Sequence, residues 1–294
     1  MILEYRVEEN DINRTYKSIL QNKLRISNRL LTKLKNSQKL TVNGNLLFVN
    51  KTASVGDLIK VDINLNNEND GIKPQKGDLE VLFEDEYYIA INKPANMVVH
   101  PCSYHQDCTL SNYLKYYLKT NNKIHPVNRL DKDTSGVVLF AKNEYAQELF
   151  NIMQNKADKV YITIVEGKFE GGEGTIDAPI ARREESIIER CVDLHNGQNA
   201  VTHYKVLKSF NLDGKDYSML EVRLETGRTH QIRVHLAYIG HPIVGDGLYN
   251  KNDTKLINRQ ALHAHKLAFI HPITNKIVDI EAKIPKDMLF NPKS

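Results

Sequence analysis

The chain's densest run of chemistry-bearing residues is Asn128-Arg129-Leu130-Asp131-Lys132-Asp133-Thr134-Ser135-Gly136, seven polar side chains around one leucine, ending in glycine. It leads directly into the apolar run Val137 to Phe140, which suits a short central strand. In extended geometry Arg129 and Asp131 share a face. A carboxylate beside a guanidinium stays ionised at neutral pH, the state a nucleophile needs. An ordinary surface turn has the same polarity, so composition leaves both readings open. Asp133 adds a second carboxylate and with it the option of a glycoside-cleaving pair, although the spacing does not set its separation from Asp131.

A second polar cluster is Glu225-Thr226-Gly227-Arg228-Thr229-His230-Gln231-Ile232-Arg233-Val234-His235. Thr229 is placed to cap a helix whose apolar stripe is Ile232, Leu236 and Ile239, closed by Gly240 and Pro242. Arg228 and Gln231 then lie near its positive end and Arg233 sits inside it, beside the stripe. Arginines at such places are usually solvated, but one close to a core face suits holding a carboxylate or phosphate.

Other chemistries find little support. His100, Cys102, His105 and Cys108 raise zinc, but they match no paired-cysteine pattern and read as a loop, so no metal is expected. His263 and His265 share a strand face and read as structural or facing a binding partner rather than as metal ligands. No glycine-rich phosphate loop follows a strand, and no G-x-S-x-G elbow occurs.

These clusters need elements to position them. From Asn13 to Lys60 there are ten basic residues and one acidic, a difference of +9, while the whole chain carries +4 and the remainder therefore about −5. A basic module on a nearly balanced body suits a polyanion partner; a well-solvated face is the plain alternative. Tyr16, Ile19, Leu20 and Leu24 predict one helix, and Ser27 caps a second with Leu30, Leu31 and Leu34 on one face and Arg29, Lys33 and Lys35 on others. Strands follow at Leu40 to Val42, Leu46 to Val49 and Leu58 to Leu65. A small domain is thus expected over 13–65, a linker over 66–78 and a larger domain over 79–290. In the larger part, strands are predicted at Val81 to Phe83, Tyr87 to Ile91, Val137 to Phe140, Tyr161 to Val165, His203 to Leu207, Ser218 to Leu224 and Ala261 to Phe269. Helical stripes fall at Leu110 to Leu118, capped by Thr109, and at Tyr145, Leu149, Phe150 and Met153. Strands outnumber helices, which predicts an α+β fold: a mainly antiparallel mixed sheet with flanking helices, plus the small α/β N-terminal domain. The three cysteines form no disulfide framework, the N-terminus is too charged for a signal peptide, and no stretch nears about 18 apolar residues. A soluble cytoplasmic protein is expected.

The stretch His125-Pro126-Val127 through Gly136 resembles the signature of RluA-type pseudouridine synthases. Further blocks match in the family's order: Asn92-Lys93-Pro94 with Val98-Val99-His100-Pro101, Lys159-Val160-Tyr161 ending in Glu166-Gly167, Thr226 to His235, Gly240 to Asp246, and Leu262-His263-Ala264. The resemblance spans about residues 79 to 285. It implies Asp131 as the catalytic aspartate, Arg129 as the residue that flips the uridine, Tyr161 as the active-site tyrosine and Arg233 as the basic partner of the aspartate, with Arg228 as runner-up. Lys93, His230 and Gln231 are the further RNA contacts it suggests. Two departures stand out: Asn128 where many members have His, and Asn96 where Gly is frequent. The stretch from Arg25 through Gly44 to Asp57 resembles a small RNA-binding domain of small-subunit ribosomal-protein type, which makes Arg29, Lys33 and Lys35 RNA contacts. The implied activity is isomerisation of uridine to pseudouridine in structured RNA without a cofactor or an obligatory protein partner. Large-subunit ribosomal RNA is favoured over transfer RNA; a non-catalytic RNA-binding or assembly protein and a polysaccharide hydrolase are the competing classes.

Overall fold

A computed structural model describes residues 1–64, 70–102, 104–153, 157–169, 171–252 and 256–290. The N-terminal module comprises β1 (Ile2–Arg6), α1 (Tyr16–Asn22), α2 (Asn28–Asn36), β2 (Leu40–Val42), β3 (Asn45–Leu46) and β4 (Leu58–Asp62), its sheet ordered β1-β4-β2-β3. Thr15 and Ser27 cap the two helices, their hydroxyls accepting from Ser18 N and Leu30 N. Buried Leu30, Leu31 and Leu34 press α2 against the sheet's Ile59 and Val61. Three expectations change. The module starts before residue 13, because β1 pairs antiparallel with β4. The strand predicted at Leu46 to Val49 stops at Leu46, and Leu24 lies beyond α1. Leu65 lies outside the described residues.

This core is not closed by the module alone. Tyr145 and Leu149, from a body helix over Glu144–Met153, belong to the same apolar cluster. Around them Lys33 Nζ donates to both Glu144 oxygens (3.0 and 2.7 Å), Ser27 Oγ to Glu148 (2.7 Å) and Tyr145 Oη to Leu24 O (2.9 Å). Nor is the whole of 66–78 a free linker. Residues 66–69 lie outside the described residues, but Asp70 pairs with the buried Lys115 ammonium, Lys73 O accepts from Asn112 (2.9 Å), and Ile72 is buried.

The body runs β5 (Val81–Glu84), β6 (Tyr88–Lys93), α3 (Leu110–Tyr117), β7 (His125–Pro126), β8 (Ser135–Ala141), α4 (Glu144–Met153), β9 (Asp158–Glu166), β10 (Glu173–Asp177), β11 (Ile180–Arg182), β12 (Arg190–Val192), β13 (Val201–Leu212), β14 (Lys215–Leu224), α5 (Gln231–Tyr238), β15 (Leu262–Ile270) and β16 (Ile277–Glu281), then a 3₁₀ turn at Lys286–Met288. The side chain of Met153, expected on the α4 stripe, lies outside the described residues. The main sheet is ordered β10-β13-β14-β9-β15-β8-β6-β5, with β16 on β15 and β7 on β8. Its pairs are antiparallel except β15 with β8. The fold is therefore α+β with a mainly antiparallel mixed sheet and flanking helices, as the sequence pattern predicts.

All seven residues of β8 are buried, which places the polar stretch before it at the mouth of the sheet's interior. Gly136 makes this approach possible: its φ is +115°, and a Cβ there would lie 2.2 Å from Ala264 O on β15. Among the described residues no helix is long and apolar enough to cross a membrane.

Candidate active site

The loop before β8 is built by its own side chains. Asn128 Oδ1 accepts from Leu139 N (2.7 Å) and its Nδ2 donates to Val137 O (3.0 Å), so the side chain stands in for a strand neighbour along β8. That frames the position where the family often has His. Thr134 N donates to Asp131 O (3.1 Å) and closes a tight turn. Asn96, on the facing loop, has φ +58°, a left-handed conformation that Gly and Asn adopt at low cost, which accounts for the second departure.

Helix α5 brings Arg233 to this loop. Its side chain is 9% exposed, and Nη1 donates to Asp131 Oδ2 at 2.8 Å. The other edge of the guanidinium is gripped by Asp246, with Nε at 2.7 Å and Nη2 at 2.8 Å. Asp246 is fully buried and also accepts from the amides of Leu248 (3.0 Å) and Tyr249 (3.2 Å). Burial alone lowers the Arg233 pKa, but Asp246 and then Asp131 outweigh it and raise it, so the guanidinium is permanently charged. Its Cζ lies 5.1 Å over the Tyr249 ring.

Asp131 is 30% exposed and looks into a cavity lined by Arg129, Leu130, Thr134, Tyr161, Leu224, Arg228, Ile232 and Leu262. Tyr161 comes from β9, in register with Ala264 and Val222 on its neighbouring strands. Burial, then the charge of Asp131, pushes its phenol up to about 12, so it is neutral at physiological pH. His230, in the left-handed conformation at the start of α5, sets Nε2 3.7 Å from Asp131 and Nδ1 2.8 Å from Tyr249 Oη. Burial lowers its pKa despite the Asp131 charge, which favours the neutral ring. The site thus combines one partly exposed carboxylate, a fixed cation behind it, an apolar wall with a neutral phenol, and two exposed arginines, Arg129 and Arg228, at its rim. Those parts suit an uncharged ring held over a carboxylate and a polyanion outside.

Residues 87–238, just over half of the chain, match the family described as RNA pseudouridylate synthase. This chain belongs to that family. Relatives extend the match. The Bacillus subtilis protein named uncharacterized RNA pseudouridine synthase YhcT is 39% identical over 292 residues, 97% of this chain and 95% of the relative. A Zymomonas mobilis ribosomal large subunit pseudouridine synthase D is 40% identical over 237 residues, 74% of this chain and 72% of the relative. The solved structure of human RNA pseudouridylate synthase domain containing 1 superposes with a TM-score of 0.61 at 25% identity, over 71% of this chain and 86% of that one. The activity of the synthase is isomerisation of uridine in RNA to pseudouridine.

In the synthase, Asp131, Arg129, Tyr161, Arg233, Arg228, His230 and Gln231 all come to one cavity, but three expected RNA contacts change meaning. Gln231 is 2% exposed, and its amide is spent inside the protein. Its Oε1 accepts from Thr226 Oγ1 (2.9 Å) and Arg228 N (3.0 Å), and its Nε2 donates to Val201 O (2.9 Å) and Thr202 Oγ1 (3.0 Å). It ties down the turn before α5 in place of the expected Thr229 cap. Lys93 is fully buried, its ammonium donating to the carbonyls of Pro94 (2.8 Å), Met97 (2.8 Å) and Lys132 (2.9 Å). Burial pushes it down to about 7, against the charges of Asp133 and Asp131. Such a lysine reaches no phosphate. Lys33 is engaged with Glu144, as is the mostly exposed Arg29 at 3.4 Å, whereas Lys35 lines an exposed groove beside Phe48 and Lys51.

Asp133 lines a different, larger cleft of about 570 Å³ with Asn96, Arg259 and Asp287, so it does not face the cavity of Asp131. This removes the paired-carboxylate reading. His263 is buried between Ser135 Oγ (2.9 Å) and Ala282 O (3.1 Å), and His265 also reaches Ala282 O (2.8 Å). His100 lies 3.1 Å from Ser111 Oγ, and among the described residues no group of three His, Cys, Asp or Glu side chains could hold a metal ion. Asp246 is a member of the site that the residue pattern does not single out. Its one signal in the chain is its place in the Gly240 to Asp246 block.

Proposed function

We propose that Asp131 is the catalytic carboxylate, acting on a uridine turned out of its stack into the cavity before β8. Turning a base out costs a few kcal/mol, least where it is already unpaired. Arg129 fills the space left behind or holds the flanking phosphate, and Arg228 takes a phosphate on the opposite rim. Asp131, aligned by Arg233 and through it by Asp246, promotes cleavage of the bond between uracil and ribose. The freed ring turns between Tyr161 and the apolar wall and bonds to the ribose through its C5 carbon; the C5 proton is then released to solvent and N1 takes up a proton, so the product is an isomer of the substrate. Tyr161 serves as a packing surface, since a phenol held near 12 is a poor base at neutral pH. All reacting atoms come from the substrate, so the scheme needs no cofactor. The observation that carries it is the 2.8 Å bond from a buried, doubly tethered guanidinium to the partly exposed Asp131.

For substrate we infer structured RNA, with large-subunit ribosomal RNA ahead of transfer RNA. Two matched relatives, from Zymomonas mobilis and Xanthomonas campestris, carry the name ribosomal large subunit pseudouridine synthase D. We assign the N-terminal module to the small RNA-binding domain of ribosomal-protein type, in support of which stand the +9 charge of its residues 13–60 and the exposed Lys35 and Lys51 flanking Phe48. Tritium release from RNA carrying 5-tritiated uridine tests the scheme: Asp131→Asn is expected to bind RNA normally and release none. Retained release would refute the assignment, and release from transfer RNA but not ribosomal RNA would reverse the substrate choice.

A further inference from the structure

Asp131 faces the cavity, but the loop that carries it is held from behind by groups the chemistry does not use. Lys132 O accepts from Lys93 Nζ (2.9 Å) and Met97 N (3.1 Å). The next carbonyl, Asp133 O, accepts from Arg259 Nη1 (3.2 Å), and Thr134 Oγ1 accepts from Gln260 Nε2 (3.2 Å). Three consecutive residues after Asp131 are thus fixed by side chains from two distant segments, and the turn they form closes on Asp131 O itself.

Arg259 differs from the other two holders because it is itself set by a turn near the C-terminal end of the chain. Its side chain is 8% exposed, and its Nε and Nη2 donate to Asp287 Oδ2 (2.7 Å) and Oδ1 (2.9 Å) in a two-pronged pair. Nη1, left over on the opposite edge, reaches Asp133 O and also Gln260 O (3.1 Å) and Leu262 O (3.4 Å). A planar fork does this and an ammonium cannot, since one edge must grip a carboxylate while the other points at a carbonyl. Asp287 lies in the 3₁₀ turn Lys286–Met288, which is anchored by Met288, fully buried in the same apolar cluster as Ile162, Ile232 and Leu262.

We propose that Arg259, oriented by Asp287, is a positioning residue for Asp131, and that the C-terminal turn is part of the scaffold of the active site. The inference rests on Asp131 being the catalytic carboxylate. Arg259 does not itself line the cavity proposed to hold the uridine. Its effect is to keep the 131–134 turn in register with Arg233, so that the carboxylate meets the sugar at the right place. A displacement of about 1 Å in such a group lowers the rate about 100-fold.

The test uses the full-length protein and a saturating RNA substrate, with single-turnover conversion and RNA affinity measured separately. Asp287→Asn and Asp287→Ala change a half-exposed side chain, and each is expected to slow conversion about 10- to 100-fold while RNA affinity stays within about twofold. Asp287→Glu, which keeps the carboxylate, is expected to recover most of the rate. Arg259→Met should behave like Asp287→Ala; if it fails to fold, the Asp287 series decides the question. Conversion within about twofold of the parent in folded Asp287→Ala overturns the proposal, and so does an equal loss of affinity and rate. Asp131→Asn is run alongside. If it is inactive while Asp287→Ala is normal, only the positioning role fails; if it remains active, the reading on which the role rests fails first.

Discussion

Asp246→Asn separates what holds the site together from what performs the reaction. The substitution keeps the side chain's shape and removes its charge, leaving Arg233, 9% exposed, with Asp131 as its one carboxylate. Removing one member of a buried, hydrogen-bonded ion pair costs about 3–5 kcal/mol. The amide oxygen still accepts one guanidinium bond, so the lower end, about 3 kcal/mol, is expected. Asp131→Asn removes a carboxylate that is 30% exposed and makes one bond to Arg233, and its stability cost is expected at about 1 kcal/mol. Activity should rank the other way. Asp131→Asn eliminates product, whereas Asp246→Asn slows conversion by about 100-fold through a misaligned Asp131. Urea unfolding followed by circular dichroism gives the stabilities, and tritium release gives the rates. Should Asp246→Asn lose less than about 1 kcal/mol and keep its full rate, the idea that Asp131 depends on a doubly tethered Arg233 is refuted.

Further outcomes follow from the same geometry. Burial holds His263 at about 4, against about 6.5 in an unfolded chain. The unfolded chain takes the proton first, so the stability tied to this residue is complete above about pH 6.5 and is lost as pH falls towards 4. The loss comes to about 3 kcal/mol, and it should shrink in His263→Gln when unfolding is measured across that window. Lys35→Ala should weaken RNA binding and reduce the slope of log affinity against log salt by about 1, whereas Lys33→Ala should lower stability by about 1 kcal/mol or less through its pair with Glu144. Equal salt effects for the two would mean that Lys33 meets RNA after all. Asn96→Gly should leave the melting temperature nearly unchanged, and Asn96→Val should cost about 1–2 kcal/mol, because a branched side chain resists φ +58°.

Much of the scaffold could be read locally. The Ser27 and Thr109 caps, the Leu30, Leu31 and Leu34 face, and the buried β8 run are short-range features, and the helix or strand period expresses them within one segment. The short strands β1, β7, β10, β11, β12 and β16 escaped because each is defined by its partner rather than by its own pattern. The ordered motif blocks placed Asp131, Tyr161 and Arg233 as a set, and the structure brings them to one cavity.

Burial was what local reading could not supply. Lys93, Gln231 and Lys33 look like RNA contacts in the chain, because a charged or amide side chain is normally solvated. Each is instead consumed by groups far away in sequence: Lys93 by Lys132 O, Gln231 by Val201 and Thr202, and Lys33 by Glu144, 111 residues away. Asp246 and Asp287 gained their meaning in the same way, each by meeting an arginine that only the folded sheet delivers. Residue types and their order along the chain thus carry the family, the fold class and the candidate for the reactive carboxylate. Which polar groups face the substrate and which are spent on holding the carboxylate in place depends on contacts between segments far apart. Chain closure sets those contacts, and no local period records them.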